Sequence, residues 1–206
     1  VTSQAYRMTS TRANAAENNL KLDSENRYYW RSNPIRMEAQ LVRDSLLYLA
    51  GQLDLTLGGP SVPVNDDKSL RRSLYYVHSH NEHQKFLSMF DDASVLECYR
   101  RAESIVPQQA LALENSPLAN ELAVKIAAKM SELPTIDCDD AFVRTAFQMV
   151  LSVDASDQEV AVSLQAMSEL REAGSGSEDN SENSTTKART MLIQALINHN
   201  DFVTIR

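Results

Sequence analysis

Cysteine is scarce in this sequence. Only two cysteines, Cys98 and Cys138, occur among the 206 residues, and they lie 40 positions apart. This spacing excludes the C-x-x-C motifs of redox dithiols and zinc ribbons and the C-x-x-C-H motif of covalent haem attachment. Two thiols are also too few for a disulfide framework. The sequence leaves open whether they are two buried thiols or one disulfide.

Glycine, proline and long apolar runs are scarce as well. The chain has only 5 Gly and 6 Pro, which excludes a collagen-like chain, and 43% of its residues are apolar, which excludes a wholly disordered one. No apolar run approaches the roughly 18 to 20 residues that a membrane-spanning helix requires. We therefore predict no membrane span in this chain.

Basic residues are too few and too scattered for nucleic-acid binding. The formal net charge is -8, and the basic doublets are Arg71-Arg72 and Arg100-Arg101. A negatively charged chain repels a polyanion unless its basic residues gather on one face. We therefore expect no nucleic-acid partner.

Start signals for helices recur along the chain. Asn33-Pro34 and Ser116-Pro117 each place a capping side chain before a proline at the first helical position. Ser156 to Glu159 has the spacing of a capping box. Apolar residues follow these signals at spacings of three and four, which is typical of helices with one buried face. The sequence predicts a mainly α fold, built as a single helical domain over residues 1-206.

Two segments depart from the helical pattern. Residues 71-78 alternate between the two sides of an extended chain and are rich in aromatic and β-branched side chains, which predicts one short strand or hairpin there. Residues 174-186 are acidic and low in complexity, and they bury too little apolar surface to offset their ordering entropy. We predict a flexible acidic loop over 174-186.

The order of several short motifs resembles a known family. The motifs are Asp23-x-x-Asn26-Arg27, Arg43-Asp44-Ser45-Leu46-Leu47, Gly58-Gly59-Pro60-Ser61-Val62, Arg71-Arg72-Ser73-Leu74-Tyr75, Phe90-Asp91, Cys98, Pro107-x-Gln109-Ala110-Leu111 and Asn200-x-Phe202. Together they are similar to the planctomycete-type carboxy-terminal domain of unknown function 1553. That domain is found in large exported proteins that often carry cytochrome-c-like segments upstream.

The resemblance covers nearly the whole chain and implies a context, not an activity. It implies a mainly helical fold, export to the periplasm or cell surface, and upstream domains of the same parent chain as partners. It implies that haem belongs to those upstream domains, with no cofactor in this chain. Because the first residues also lack a start methionine, we expect the chain to be a carboxy-terminal fragment of a larger protein.

Five charged residues fall in or beside the family-like motifs: Arg43, Asp44, Arg72, Asp91 and Arg101. They neighbour strongly apolar segments, where a lone charge would be drawn toward the core and would need a partner. We predict that they converge in the folded chain. Such a cluster forms either a ligand cleft or an internal salt-bridge network, and we favour the structural network.

The histidines His78, His80 and His83 have acidic residues nearby and are the residue types that a zinc or transition-metal site uses. Their spacing is loose, and polar loop histidines are far commoner than metal ligands. This stretch is also richer in histidine than the family pattern, which weakens a family-wide metal role. We predict no metal site. His78, His80 and His83 are the candidate ligands against which this prediction is checked.

No catalytic motif is present. The sequence has no G-x-S-x-G elbow, and Gly58-Gly59-Pro60 lacks the following Lys-Ser/Thr of a phosphate-binding loop. The first hypothesis is a non-catalytic interaction or scaffold module of an exported, cytochrome-associated multidomain protein. The alternative is an enzyme domain acting on carbohydrate through a carboxylate and arginine cleft. The first predicts a broad apolar or mixed patch, and the second a concave site with converging carboxylates.

Overall fold

The structure of the chain, a computed structural model, describes residues 3–4, 7–10, 17–92, 106–174 and 181–205. Helices dominate this part, so the predicted mainly α fold class is confirmed. The helices and strands are α1 (Glu17–Leu22), β1 (Ile35–Arg36), α2 (Ala39–Leu49), α3 (Lys85–Ser88), α4 (Val106–Glu114), α5 (Pro117–Ser131), α6 (Asp139–Ala146), α7 (Asp157–Gly174), α8 (Ser181–Ile197) and β2 (Thr204–Ile205).

The chain divides into two compact units. The terminal unit comprises Val1–Met37 with Val203–Arg206, and the main unit comprises Glu38–Phe202. A single domain over residues 1-206 stays a prediction, and each unit is described by itself.

In the terminal unit, β1 and β2 pair antiparallel, with Ile35 opposite Ile205. The helix expected to begin at Asn33-Pro34 begins instead at Ala39. The cap-plus-proline signal fails here because residues 35–36 are extended and take their backbone partners from β2. Pro34 is compatible with this arrangement, because it precedes the strand and need not donate a backbone hydrogen bond to β2.

In the main unit, the core lies where α8 packs on α5 and α7. Each of four helices contributes a fully buried side chain to the core: Ile126 of α5, Phe142 of α6, Met167 of α7 and Ile193 of α8. Burying a side chain of this size contributes about 1.5–3 kcal/mol relative to leaving it exposed. The last helix of the chain thus packs back on the helices that precede it.

Two predicted helix starts form as the sequence indicated. The hydroxyl of Ser116 accepts a hydrogen bond from the backbone N–H of Ala119, with Pro117 in the first turn of α5. The carboxylate of Glu159 accepts from the backbone N–H of Ser156 at 2.8 Å, which closes the capping box of α7. Hydrogen bonds from the hydroxyl and the backbone N–H of Ser156 hold the pKa of Glu159 below its usual value.

The segment 71-78 is not a strand. Ser73–Tyr75 form one 3-10 turn, and isolated bridges tie the segment to residues 54 and 62. The predicted location of the short strand or hairpin is therefore wrong, because the two paired strands are β1 and β2. The physical reason is that the side chain of Asp44 accepts the backbone N–H of Ser73 at 2.7 Å, which removes that donor from any strand ladder.

The predicted loop at 174-186 is too long. Gly174 ends α7 and Ser181 begins α8, so residues 181–186 are helical, while residues 175–180 lie outside the described part of the chain. The low-complexity stretch continues directly into the helix that packs on α5 and α7, and tertiary packing overrides weak local propensity. In the described ranges, no helix combines the length and the apolar character that crossing a membrane demands.

Candidate functional site

Arg43 of α2 is fully buried and supports the segment 69–76. Its Nη1 donates to the carbonyl oxygen of Arg71 at 3.1 Å and to the hydroxyl of Ser73 at 3.3 Å, and its Nη2 donates to the carbonyl oxygen of Ser69. Its guanidinium carbon lies 5.0 Å from the centre of the Tyr76 ring. The side chain therefore binds backbone carbonyls of a segment that forms one 3-10 turn and no strand.

Burial dominates the electrostatics of this arginine. It disfavours the charged form and so lowers the pKa of Arg43, while Tyr76 and Asp44 act in the opposite direction. Burial likewise raises the pKa of Tyr76, against the effect of the nearby Arg43. The Nε of Arg43 is buried with no hydrogen-bond partner among the described residues. Removing this cation would leave one buried and two partly buried acceptors without their donor, so we assign Arg43 a structural role.

The neighbouring Asp44 binds the same segment. Its Oδ1 accepts from the backbone N–H of Ser73 at 2.7 Å and from the Ser73 hydroxyl at 2.6 Å, and its Oδ2 lies 3.6 Å from Nε of Arg72. Asp44 is nearly buried, whereas Arg72 is partly exposed. Three members of the predicted cluster, Arg43, Asp44 and Arg72, therefore meet at the segment 69–76.

The other two members are placed differently. Asp91 follows α3 with a left-handed backbone conformation, at φ 59°. Its Oδ2 accepts from Nε2 of the buried Gln109 on α4 at 2.9 Å. Arg101 lies outside the described residues. The convergence of all five residues stays a prediction. The described members bind other parts of the same chain.

Replacing Asp91 with alanine should lower the free energy of unfolding by about 2 kcal/mol. The substitution leaves the buried amide of Gln109 without this acceptor, which costs about 1–3 kcal/mol, and it places a Cβ-bearing residue without a polar side chain in the left-handed region. Urea denaturation measures the loss. Asp91→Gly, which relieves the backbone cost, should lose less than Asp91→Ala, and equal losses would contradict the assigned backbone strain.

The loop of residues 54–60, here called the leucine loop, is bound by Arg71. Arg71 Nη1 donates to the carbonyl oxygen of Pro60 at 2.7 Å and Nη2 donates to the carbonyl oxygen of Gly58. The guanidinium carbon lies 3.9 Å from the centre of the Tyr75 ring, and the Tyr75 hydroxyl accepts from the backbone N–H of Gly58 at 2.9 Å. At φ 76°, Gly58 occupies a conformation that suits glycine.

This bound loop presents apolar side chains to solvent. Leu57 is 84% exposed and Leu55 is 61% exposed. The backbone N–H of Asp54 donates to the carbonyl oxygen of Leu70 at 2.8 Å, so the partly exposed Leu70 lies beside the start of the loop. A single exposed leucine needs no explanation, but two on one loop, with a third beside its start, expose apolar side chains of the kind that interaction sites carry.

A separate concave site, here called the polar cleft, is lined in part by residues of the 73–78 segment. It encloses about 250 Å³. Its polar walls are formed by Gln40, Tyr76, His78, Glu82, His83 and Asp92. The nearly buried carboxylate of Asp92 accepts from Nε2 of Gln40 at 2.5 Å and lies 3.9 Å from Nδ1 of His78.

The three histidine candidates do not share one site. His78 and His83 line the polar cleft, and His80 is not among its lining residues. Across the described ranges, no three side chains of His, Cys, Asp or Glu lie close enough to hold a metal ion. Cys138, the one cysteine within those ranges, is an exposed free thiol before α6, and Cys98 lies outside them.

Sequence reasoning missed two ionic contacts that organise the main unit. It did not foresee that Arg71 would bind the leucine loop. The guanidinium group of Arg71 offered the donors, and Gly58-Gly59-Pro60 marked a turn whose carbonyl oxygens could accept them. It also assigned no partner to Asp139, whose carboxylate binds Arg171 at 2.6 Å and Arg189 at 3.0 Å. No local signal marks such pairs, because the partners lie 32 and 50 positions away.

Comparison with known proteins places the chain by sequence. The model of a family described as PSD1, protein of unknown function (DUF1553), matches residues 1–167. No curated protein and no solved structure matches the chain.

Proposed function

The chain belongs to the PSD1 family of proteins of unknown function (DUF1553), and on that premise we propose that it is a non-catalytic interaction module of a larger exported protein. In this proposal the partner is an upstream domain of the same parent chain. Haem, where the parent protein carries it, belongs to those upstream domains and not to this one.

The observation that supports the proposal is the leucine loop. Leu57 is almost fully exposed, yet the loop carrying it is bound through both carbonyl oxygens that Arg71 contacts and through the Tyr75 hydroxyl. An apolar side chain on a mobile loop would lose conformational entropy on binding, whereas a preorganised loop loses less. The contacts of Arg71 therefore favour association of the loop with an apolar partner surface.

The arrangement of Arg43 and Asp44 also supports an interaction module. Their polar atoms bind the backbone and the Ser73 side chain of the 69–76 segment, which fixes Arg71 and Tyr75 where they meet the leucine loop. Arg43 and Asp44 thus help to set the conformation in which the leucine loop is presented to solvent. Burying Leu55 and Leu57 against a partner would contribute about 1.5–3 kcal/mol each.

Site-specific photocrosslinking tests this proposal. A photoreactive amino acid placed at position 57 of the full-length exported protein should crosslink, in its native cells, to residues of the same polypeptide outside the sequence 1–206. The matched control is position 162 on α7, where Val162 is 62% exposed on a helix. We expect a high crosslink yield at position 57 and a low yield at position 162.

The substitution Leu57→Ser completes the experiment. It should change the free energy of unfolding by less than about 0.5 kcal/mol, since the side chain is exposed, and it should lower the yield of the same crosslink made from position 55 at least about tenfold. Crosslinks from position 57 that go only to other proteins, or equal yields at positions 57 and 162, would contradict the assignment of an intramolecular partner.

The alternative, an enzyme domain acting on carbohydrate, stays a prediction. Its carboxylate and arginine cleft would need arginines beside the carboxylates, and among the described residues that line the polar cleft none is an arginine. No specific observation favours this alternative.

A further inference from the structure

The polar cleft carries a second inference, independent of the leucine loop. We propose that it receives the cationic end of a lysine or arginine side chain from a polypeptide partner. The cleft belongs entirely to the main unit and is enclosed by α2, α3 and the segments beside them. Its volume of about 250 Å³ admits one long side chain.

The charge of the lining favours a cation. Glu82 and Asp92 contribute carboxylates, and no lysine or arginine occurs among the described lining residues. Glu82 lies at the exposed rim and makes no hydrogen bond or ion pair with another described residue. A cleft lined by charge of one sign concentrates its field on the opening and attracts an ion of opposite sign.

The remaining walls favour a cation on an aliphatic stem. Leu74, Val77 and Leu87 line the same cleft, and long basic side chains bury their methylene groups against apolar walls while the charged head contacts polar atoms. The imidazoles of His78 and His83, when neutral, each offer a ring nitrogen that accepts a hydrogen bond. A small hydrated ion would make no use of the apolar walls.

Three capped amino acids serve as probes in an NMR titration at pH 8 of the intact chain, with 15N and 13C labels in histidine and glutamine. N-acetyl-lysine methylamide and N-acetyl-arginine methylamide carry the cation, and N-acetyl-norleucine methylamide has the stem without it. We expect at least one cationic probe to shift the signals of His78, His83 and Gln40 with a Kd on the order of 1 mM. Norleucine should bind at least about tenfold more weakly, and the ratio between the two cationic probes identifies the preferred residue.

The variant Glu82→Gln keeps the shape of the rim and removes its charge. It should weaken binding of the cationic probes about threefold to fivefold and leave norleucine unchanged, whereas Glu114→Gln, an exposed control on α4, should alter neither. Leu57→Ser should not affect the probes, so this test and that of the leucine loop fail separately. Norleucine binding as tightly as the cations, or Glu82→Gln without effect, would overturn the proposal. Tighter binding of cadaverine than of the capped lysine would overturn the polypeptide partner.

Discussion

Arg43→Ala should lower the free energy of unfolding by about 3–5 kcal/mol. The side chain is fully buried, so its removal leaves a cavity and withdraws the donors that bind the carbonyl oxygens of Ser69 and Arg71 and the hydroxyl of Ser73. Buried acceptors without partners cost about 1–3 kcal/mol each when water cannot reach them. Guanidinium or urea denaturation followed by circular dichroism measures the loss.

Arg144→Ala is the matched control. Arg144 also lies on a helix of the main unit and also makes ion pairs, with Asp140 and Asp157, but its side chain is 46% exposed. Surface pairs of this kind contribute about 0–1 kcal/mol, so the control should lose less than 1 kcal/mol. Comparable losses in the two variants, or a loss below about 1 kcal/mol for Arg43→Ala, would show that Arg43 does not support the 69–76 segment.

Asp139→Asn should lower the free energy of unfolding at pH 7 by about 2–3 kcal/mol. The carboxylate of Asp139, 23% exposed, binds Arg171 of α7 and Arg189 of α8, and Arg189 also lies over the Phe142 ring at 4.7 Å. Asparagine keeps one acceptor but no charge. Two partly buried arginines would then lose the carboxylate that they share, which loosens α6 from both helices.

The same substitution should change how stability depends on pH. Desolvation would raise the pKa of Asp139, but hydrogen bonds from Arg171 and Arg189 outweigh it and hold the pKa below its usual value. A carboxyl group with a depressed pKa in the folded state contributes stability that is complete above the unfolded pKa, about 3.9. This contribution is lost as the pH falls below that value and through the folded pKa. Wild type should therefore lose more stability than Asp139→Asn below about pH 4.

Asp140→Asn controls for the position of the charge in the helix. Asp140 also lies in the first turn of α6, where a negative charge interacts favourably with the helix dipole, but it is about half exposed and pairs with Arg144. We expect a loss below about 1 kcal/mol and an acid dependence close to that of wild type. If the free energy of unfolding falls equally with decreasing pH in wild type and in Asp139→Asn, the role assigned to the Arg171 and Arg189 pairs is contradicted.

The sequence by itself determined the helices of the carboxy-terminal half. Ser116 with Pro117 and Ser156 with Glu159 act within four residues of each other, and the apolar positions that follow lie on one face of each helix. Capping and periodicity are local, so their outcome depends little on distant residues. The short motifs along the chain likewise led to the family, because their order is a property of the sequence alone.

Tertiary structure decided the remaining features. Asn33-Pro34 has the same local signal as Ser116-Pro117, yet it precedes a strand because β2, some 170 positions later in the chain, supplies backbone partners. Residues 71-78 alternate like a strand, yet Asp44 takes the donor that a ladder would need. Arg71 reaches the leucine loop, and Asp139 reaches two helices, over separations that carry no periodic signal. A backbone N–H donates to whichever acceptor the folded chain brings within about 3 Å. Only the packing of the whole unit sets that distance.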